Sequence, residues 1–453
     1  MPHLKPARPI LASLLLVGAL HIPTATVVAQ PGPATDPQPP ATDPQPPATD
    51  PAAAYAAKLD AAAEKGRDYL LSLYGKDPRQ GGWGPDMPFV GYSGLALNGL
   101  LRGRKPVSVS DERVKKTLDK LISQQQFDGA WVSPQRGEAV YETSVILRAL
   151  VAAAQADKEF AAREDVLSAI RKGRDYLLLA QVDEHPEVDK DGKAIEGKVD
   201  SPDAEGGANY GGVGYGRGTQ GTTPSANMSS TAMAMEAVDS TTAVIGEDDK
   251  LKEARKKLQN FLRHCHNLAE YNGKPYNTEA TDTPQGKVVP GNDGGAVYAP
   301  GQSNAGTTEG EGGVRVLRSY GSVTYALLQL YHISGIVDRN DLRIQKAMEW
   351  ITRSENFVFT YHPGLNQDDR NSQFAGHYYY LYTAAHTLSM LAGKATLEDS
   401  RGEEHNWSKS IGDVLLGLQQ ANGAWSNQKN SAYWENAPII ATSYALVALG
   451  YLR

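Results

Sequence analysis

The sequence predicts an all-α fold, an (α/α)6 toroid in which six outer helices surround six inner ones. Three observations carry this. A charged helical segment recurs six times along the chain. Most copies run into a turn of glycine and an aromatic residue. A second helix, apolar almost all round, then follows each copy.

The chain opens with a segment that reads as an export signal, residues 1–29. His3, Lys5 and Arg8 precede an apolar run from Ile10 to Leu20, and Val27-Val28-Ala29 supplies small residues for cleavage. The run is too short to span a bilayer, and no cysteine follows it to carry a lipid. A periplasmic or secreted location, with no transmembrane anchor after cleavage, is expected. Residues 30–54 repeat Ala34-Thr-Asp-Pro-Gln-Pro-Pro40 at Ala41 to Pro47, which predicts a disordered, extended, solvated linker. Residues 55–453 remain for the toroid. That length exceeds an ordinary single domain, but repeat rings are the usual exception, because each unit packs on its neighbours.

The first helices are marked by Lys65-Gly-Arg-Asp-Tyr-Leu-Leu71, recurring identically as Lys172 to Leu178. Related stretches lie at Leu118 to Gln125, Leu258 to Leu262, Ala347 to Ile351 and Val414 to Gln420. Turns follow at Gly81 to Gly84, Asp128 to Trp131, Gly211 to Tyr215, Asp293 to Tyr298 and Asn422 to Trp425. The fifth unit shows no such turn. Glycine there supplies the positive φ that stops a helix, and the aromatic packs back over the helix end. The second helices are Ser93 to Leu100, Thr143 to Leu150, Thr231 to Val238, Thr324 to Tyr331, Ala384 to Leu391 and Thr442 to Leu449. Their uniform apolarity predicts burial, and the charged face of the first helices predicts an outer ring.

Gln125-Gln-Phe-Asp-Gly-Ala-Trp131 and Gln419-Gln-Ala-Asn-Gly-Ala-Trp425 resemble the Gln-Trp repeats of squalene–hopene cyclases and protein prenyltransferases. Arg318 to Leu328, Gly376 to Tyr380 and Glu435 to Leu446 resemble a group of exported bacterial proteins, the prenyltransferase/squalene-oxidase repeat proteins. The resemblance spans about residues 55 to 453 and implies the toroid fold with a central cavity.

The family chemistries do not carry over with the fold. Cyclases of this type protonate an alkene with an Asp-x-Asp-Asp motif. Glu247-Asp-Asp249 reads instead as a solvated helix start, and Asp368-Asp369 lies in a polar loop. The zinc ligands of the prenyltransferases have no counterpart. No cysteine lies in Arg318 to Thr324, Tyr382-Thr383 stands where the family has His-Thr, and consecutive positions in His264-Cys-His266 make a poor chelate. No metal and no cofactor are expected. The single cysteine, Cys265, rules out an internal disulfide and lacks the thioester surroundings of complement-like toroids. A net charge of −7 without a basic stripe argues against nucleic acid.

The long connections of the third and fourth units, about 181–227 and 272–319, place any site on the face where the inner helices begin. Six helix N-termini on that face predict a preference for anionic or oxyanion groups. Candidate catalytic residues are Glu142, Asp293 and Tyr382; candidate cavity-binding residues are Tyr92, Tyr320, His377, Tyr378 and Glu435. His386 reads as a core histidine. The expected function is binding of an apolar, isoprenoid-like small molecule in the cavity. The alternatives are a non-catalytic scaffold that holds protein or glycan with its rim loops, and a polysaccharide hydrolase or lyase.

Overall fold

The computed structural model describes residues 50–453 except 78, 80, 134–137, 184–206, 217–225, 273–287, 366–370 and 400. The expected signal and nearly all of the linker lie outside the described residues, as do Asp368 and Asp369. Among the described residues, twelve long helices alternate in chain order. The pairs are α1 (Pro51–Ser72) with α2 (Val90–Arg102), α3 (Glu112–Gln124) with α4 (Ala139–Ala156), and α5 (Glu164–Leu179) with α6 (Met228–Ser240). They continue as α7 (Asp249–Cys265) with α8 (Gly321–Ile333), α9 (Leu342–Thr352) with α10 (His377–Ala392), and α11 (Trp407–Leu418) with α12 (Pro438–Tyr451).

The even-numbered helices form the inner ring. Each packs on the next, and α12 packs back on α2, which closes the circle. Burial follows the sequence pattern. Every residue of α12 from Ile439 to Leu449 is buried. In α3 only Val114, Thr117, Leu118 and Leu121 are, one stripe at helical spacing. Short strands decorate the connections: β1 (Val288–Val289), β2 (Thr307–Glu309) and β3 (Arg315–Leu317) in the order β1-β3-β2, and a hairpin of β4 (Thr396–Glu398) and β5 (Glu404–Asn406).

The first helix begins before the expected domain boundary at residue 55. Asp50 accepts a hydrogen bond from the Ala52 amide at 3.0 Å, and Pro51 occupies the first turn, where it sacrifices no helical bond. The alanine-rich stretch that looked like linker is therefore the first turn of α1.

The glycine–aromatic turns do more than stop helices. Gly129 (φ 94°) sits so close to α5 that a Cβ there would lie 2.2 Å from the Lys172 carbonyl oxygen. Gly423 (φ 89°) stands in the same relation to Lys65 of α1, at 2.5 Å. The turns of the second, third, fourth and sixth units thus dock on the outer helix of the following unit, at Lys172, Lys257, Lys346 and Lys65, and the last docks on the first. A glutamine reinforces the joint. Gln125 Nε2 donates to the carbonyls of Gly129 and of Ala169 in α5, both at 3.0 Å. Gln419 repeats this with Gly423 (3.0 Å) and Ala62 of α1 (2.8 Å), and Gln181 with Gly211 (2.8 Å) and Ala254 (3.0 Å). In the fourth unit His266 takes this place, donating from Nε2 to the Gly294 carbonyl at 2.9 Å and accepting from the Tyr331 hydroxyl at 2.8 Å.

The tryptophans pack in two directions. Trp131 and Trp425 donate to the carbonyls of Leu121 (2.6 Å) and Leu415 (2.8 Å) on their own outer helices. Their rings reach the next outer helix at Gly173 and Gly66, where a Cβ would stand 2.9 and 2.5 Å from ring carbons. This explains the identical heptads. Lys65 to Leu71 and Lys172 to Leu178 are the two segments that receive a Gly-Ala-Trp turn. The fifth unit lacks the motif because Gly364 (φ 86°) approaches the Ser319 carbonyl instead, 2.4 Å from where its Cβ would be.

Gly423→Ala places a methyl group against the Lys65 carbonyl at positive φ. It should cost about 2 kcal/mol or more. A lowered midpoint of chemical denaturation would register it; an unchanged midpoint would refute the docking role.

Candidate functional site

A cavity of about 500 Å³ opens at the end where the inner helices begin. All six of them reach it near their first turns, through Tyr92, Tyr141, Ser229, Val323, Tyr379 and Ile440 among others. Eight tyrosines line it: Tyr92, Tyr141, Tyr215, Tyr298, Tyr320, Tyr379, Tyr433 and Tyr444. Phe89, Trp434, Leu95 and Leu365 add apolar wall. Many phenol groups satisfy one another. The hydroxyls of Tyr141 and Tyr444 are hydrogen-bonded, those of Tyr215 and Tyr298 lie 2.7 Å apart, and Asn304 Nδ2 donates to Tyr320 (3.2 Å) and Tyr433 (3.0 Å).

The helix starts around this cavity are not free to bind anions. In five of the six, one or two of the first amides are bonded to the unit that follows. Val90 of α2 donates to Ser133 Oγ at 3.2 Å, and Val140 of α4 to the Tyr215 carbonyl at 3.2 Å. Met228 of α6 donates to the Tyr298 carbonyl at 2.8 Å. In α8, Gly321 and Ser322 donate to the Pro363 carbonyl and to His362 Nε2, both at 2.9 Å. In α10, Tyr378 and Tyr379 donate to the Glu435 carboxylate at 3.1 and 2.7 Å. Proline opens α12, so its first amide has no hydrogen to offer. These orphan amides are spent on closing the ring, which weakens the expected preference for anions.

This capping also fixes the two carboxylates at the wall. Glu142 lies within the first turn of α4 rather than ahead of it. It accepts from the Ser133 amide at 2.6 Å and from the Ser133 hydroxyl, which in turn caps α2. Burial pushes its pKa up, and the Ser133 and Gly91 hydrogen bonds partly offset this. Glu435 is almost fully enclosed. Burial pushes it up to about 7 against the opposing pull of the Tyr379, Asn427 and Tyr378 donors.

Tyr92, Tyr320, Glu142 and Glu435 line the cavity. The other candidates lie elsewhere. Asp293 holds the fourth turn, accepting from the Gly295 amide (3.0 Å), Ser319 Oγ (2.6 Å) and Trp350 Nε1 (3.3 Å). His377 and Tyr378 point away from the axis. His377 donates from Nε2 to the Phe359 carbonyl at 2.8 Å, and the Tyr378 hydroxyl faces the Ser426 carbonyl at 3.5 Å. Helical phase decides this, since successive side chains diverge by about 100° and it is Tyr379 that faces inward.

Tyr382, three residues on, belongs to the floor. There Arg148 and Glu236 form a buried ion pair. The Tyr382 hydroxyl donates to Glu236 at 2.6 Å and accepts from Arg148 at 2.6 Å. Arg102 Nη2 stands 3.4 Å from the same carboxylate and donates to the Tyr451 hydroxyl at 2.7 Å. Burial alone would raise the Glu236 pKa, but Arg148, with Arg102 and Tyr382 behind it, holds the carboxyl well below its ordinary range. His386 Nδ1 lies 3.4 Å from Glu236 without a hydrogen bond, and burial holds the imidazole down to about 4. It is neutral at pH 7, so this contact is not an ion pair. Arg148 and Glu236 are the single charges in the apolar stretches Thr143 to Leu150 and Thr231 to Val238, a sequence signal for a buried pair.

No protein-family model matches the chain, and no curated protein matches it. Among solved structures it is similar to the type II terpene cyclase MstE from Scytonema bound to merosterolic acid A. That pair shares 13% identity, covers 88% of this chain and 98% of the other, and has a TM-score of 0.42. The same cyclase with geranylgeranyl dihydroxybenzoate gives 13%, 88%, 98% and 0.41. A protein from Actinoplanes gives 12%, 87%, 99% and 0.41.

Two outcomes follow from the charges. Glu236→Gln leaves Arg148 buried without its counter-charge and should cost about 3–5 kcal/mol in chemical denaturation at pH 7. Glu435 binds its proton more tightly folded than unfolded. Its contribution to stability is therefore full below the unfolded pKa and is lost as pH rises towards about 7. Relative to Glu435→Gln, the wild type should lose on the order of 2 kcal/mol between pH 5 and 8. Parallel pH profiles would exclude this.

Proposed function

We propose that this chain binds an apolar, isoprenoid-like small molecule in the cavity at the head of its inner ring. The observation that carries the reading is the wall itself: about 500 Å³ of space enclosed mainly by aromatic rings and aliphatic side chains. That volume lies within the range of small-molecule sites, and burial of apolar surface is the driving force such a wall offers. The sequence resemblance to the prenyltransferase/squalene-oxidase repeat proteins points the same way, and with the amino-terminal signal it supports an exported protein. Among the described residues no helix is long and apolar enough to cross a membrane.

Binding, rather than proton-initiated cyclisation, is the activity favoured. An alkene-protonating acid must be unusually strong, whereas the two buried wall carboxylates have raised pKa values and serve as caps. The same engagement weighs against a hydrolase built on Glu142. A second reading, a scaffold that holds glycan or protein at the rim, is favoured by one observation. Tyr215, Tyr433 and Trp434 are large rings left 44%, 55% and 55% exposed beside the opening.

Solvent extraction of the purified protein followed by mass spectrometry should release a prenyl lipid. Titration with geranylgeraniol should quench tryptophan fluorescence saturably, and Ile440→Trp, which fills the cavity from α12, should abolish that binding while circular dichroism is retained. No extractable lipid and no saturable binding would sink the reading. Binding of oligosaccharide that survives Ile440→Trp would favour the rim.

A further inference from the structure

A bulky residue at positive φ crowds its own backbone and is uncommon. Tyr433 (φ 57°) and Trp434 (φ 61°) adopt this geometry in succession, and among the described residues no other non-glycine residue does. Both remain half exposed, so ring burial does little to offset the strain. The loop is held in place by its own hydrogen bonds. Asn427 Oδ1 accepts from the amides of Lys429 (3.2 Å) and Asn430 (3.1 Å), Asn430 Oδ1 accepts from Ala432 (2.8 Å), and the Trp434 carbonyl accepts from Ala437 (2.9 Å). Strain maintained in this way and displayed at an opening marks a functional element. Both rings line the cavity.

Among the described residues, the groups that meet at the mouth through hydrogen bonds are polar and uncharged. Asn304 links the hydroxyls of Tyr433 and Tyr320, and the paired hydroxyls of Tyr215 and Tyr298 complete the mouth. Among the described lining residues Arg79 is the one arginine or lysine. It is already engaged by Asp77 at 2.6 and 3.1 Å and is directed to solvent. Glu138, Glu142 and Glu435 lie in the same wall, and they disfavour a second negative charge there. Among the described lining residues a phosphate or diphosphate meets three glutamates and one arginine already paired with Asp77, whereas a hydroxyl or carbonyl finds phenols and an amide.

Resting on the binding reading above, we propose that Tyr433 and Trp434 form a fixed lip over the uncharged polar end, a hydroxyl or carbonyl, of an otherwise apolar ligand. The site discriminates against the phosphorylated form of the same ligand. Calorimetric and fluorescence titration of the full chain with geranylgeraniol and with geranylgeranyl diphosphate tests both parts, using wild type, Tyr433→Gly and Trp434→Gly. The alcohol should bind wild type at least about tenfold more tightly than the diphosphate. Glycine accepts positive φ without strain, so each variant should melt at or above the wild-type temperature while binding the alcohol about tenfold more weakly. Equal binding of the diphosphate overturns the proposal. So does undiminished alcohol binding by the glycine variants, or a lowered melting temperature, which would make the pair structural. If wild type binds neither compound, the binding reading falls and the lip with it. If Ile440→Trp abolishes binding and the glycine variants do not, only the lip falls.

Discussion

The approach of a turn glycine to a neighbouring backbone carbonyl is the contact on which the ring depends. At Gly129 and Gly423 no side chain fits between the turn and the next outer helix. The close approach lets a glutamine bridge the two backbones and lets a tryptophan ring cover the same joint. Because the last turn meets α1 as the second meets α5, closure uses the same joint as propagation. No disulfide is required, and the one cysteine, Cys265, is simply buried in α7.

That mode of assembly constrains the chemistry of the cavity. In five inner helices, amides that would draw anions in an open arrangement are instead bonded to the following unit. Glu142 and Glu435 belong to this system, which is why they are present at the wall yet not available as strong acids. Hydrogen bonding and desolvation act on them in opposite directions, and desolvation is the larger effect. What remains exposed to a ligand is aromatic surface with hydroxyl groups.

Below the cavity, charge is used differently. Arg148, Glu236 and Arg102 meet on the axis where several inner helices converge, with Tyr382 and Tyr451 completing their hydrogen bonds. A buried pair of this kind contributes little net stability, but either half alone is costly. It ties α4, α6 and α10 to one another through Arg148, Glu236 and Tyr382.

The helical repeat was legible in the sequence, because burial of one stripe or of a whole helix leaves its mark at every third or fourth residue. So were the Gly-Ala-Trp turns, whose positive φ and aromatic cover are local requirements. The face that carries the cavity was legible as well, from the lengths of the connections. Local patterns could not say which way each side chain in α10 points, so Tyr379 was passed over for its neighbours His377 and Tyr378. Nor could they show that Asp293 is consumed within its own turn, or that Glu435 caps a helix of the preceding unit. Those roles depend on contacts between segments far apart in the chain. The sequence by itself determined the elements, their number and their order. The tertiary structure decided which polar groups still face the cavity, because hydrogen bonds across unit boundaries are made only once the ring has closed.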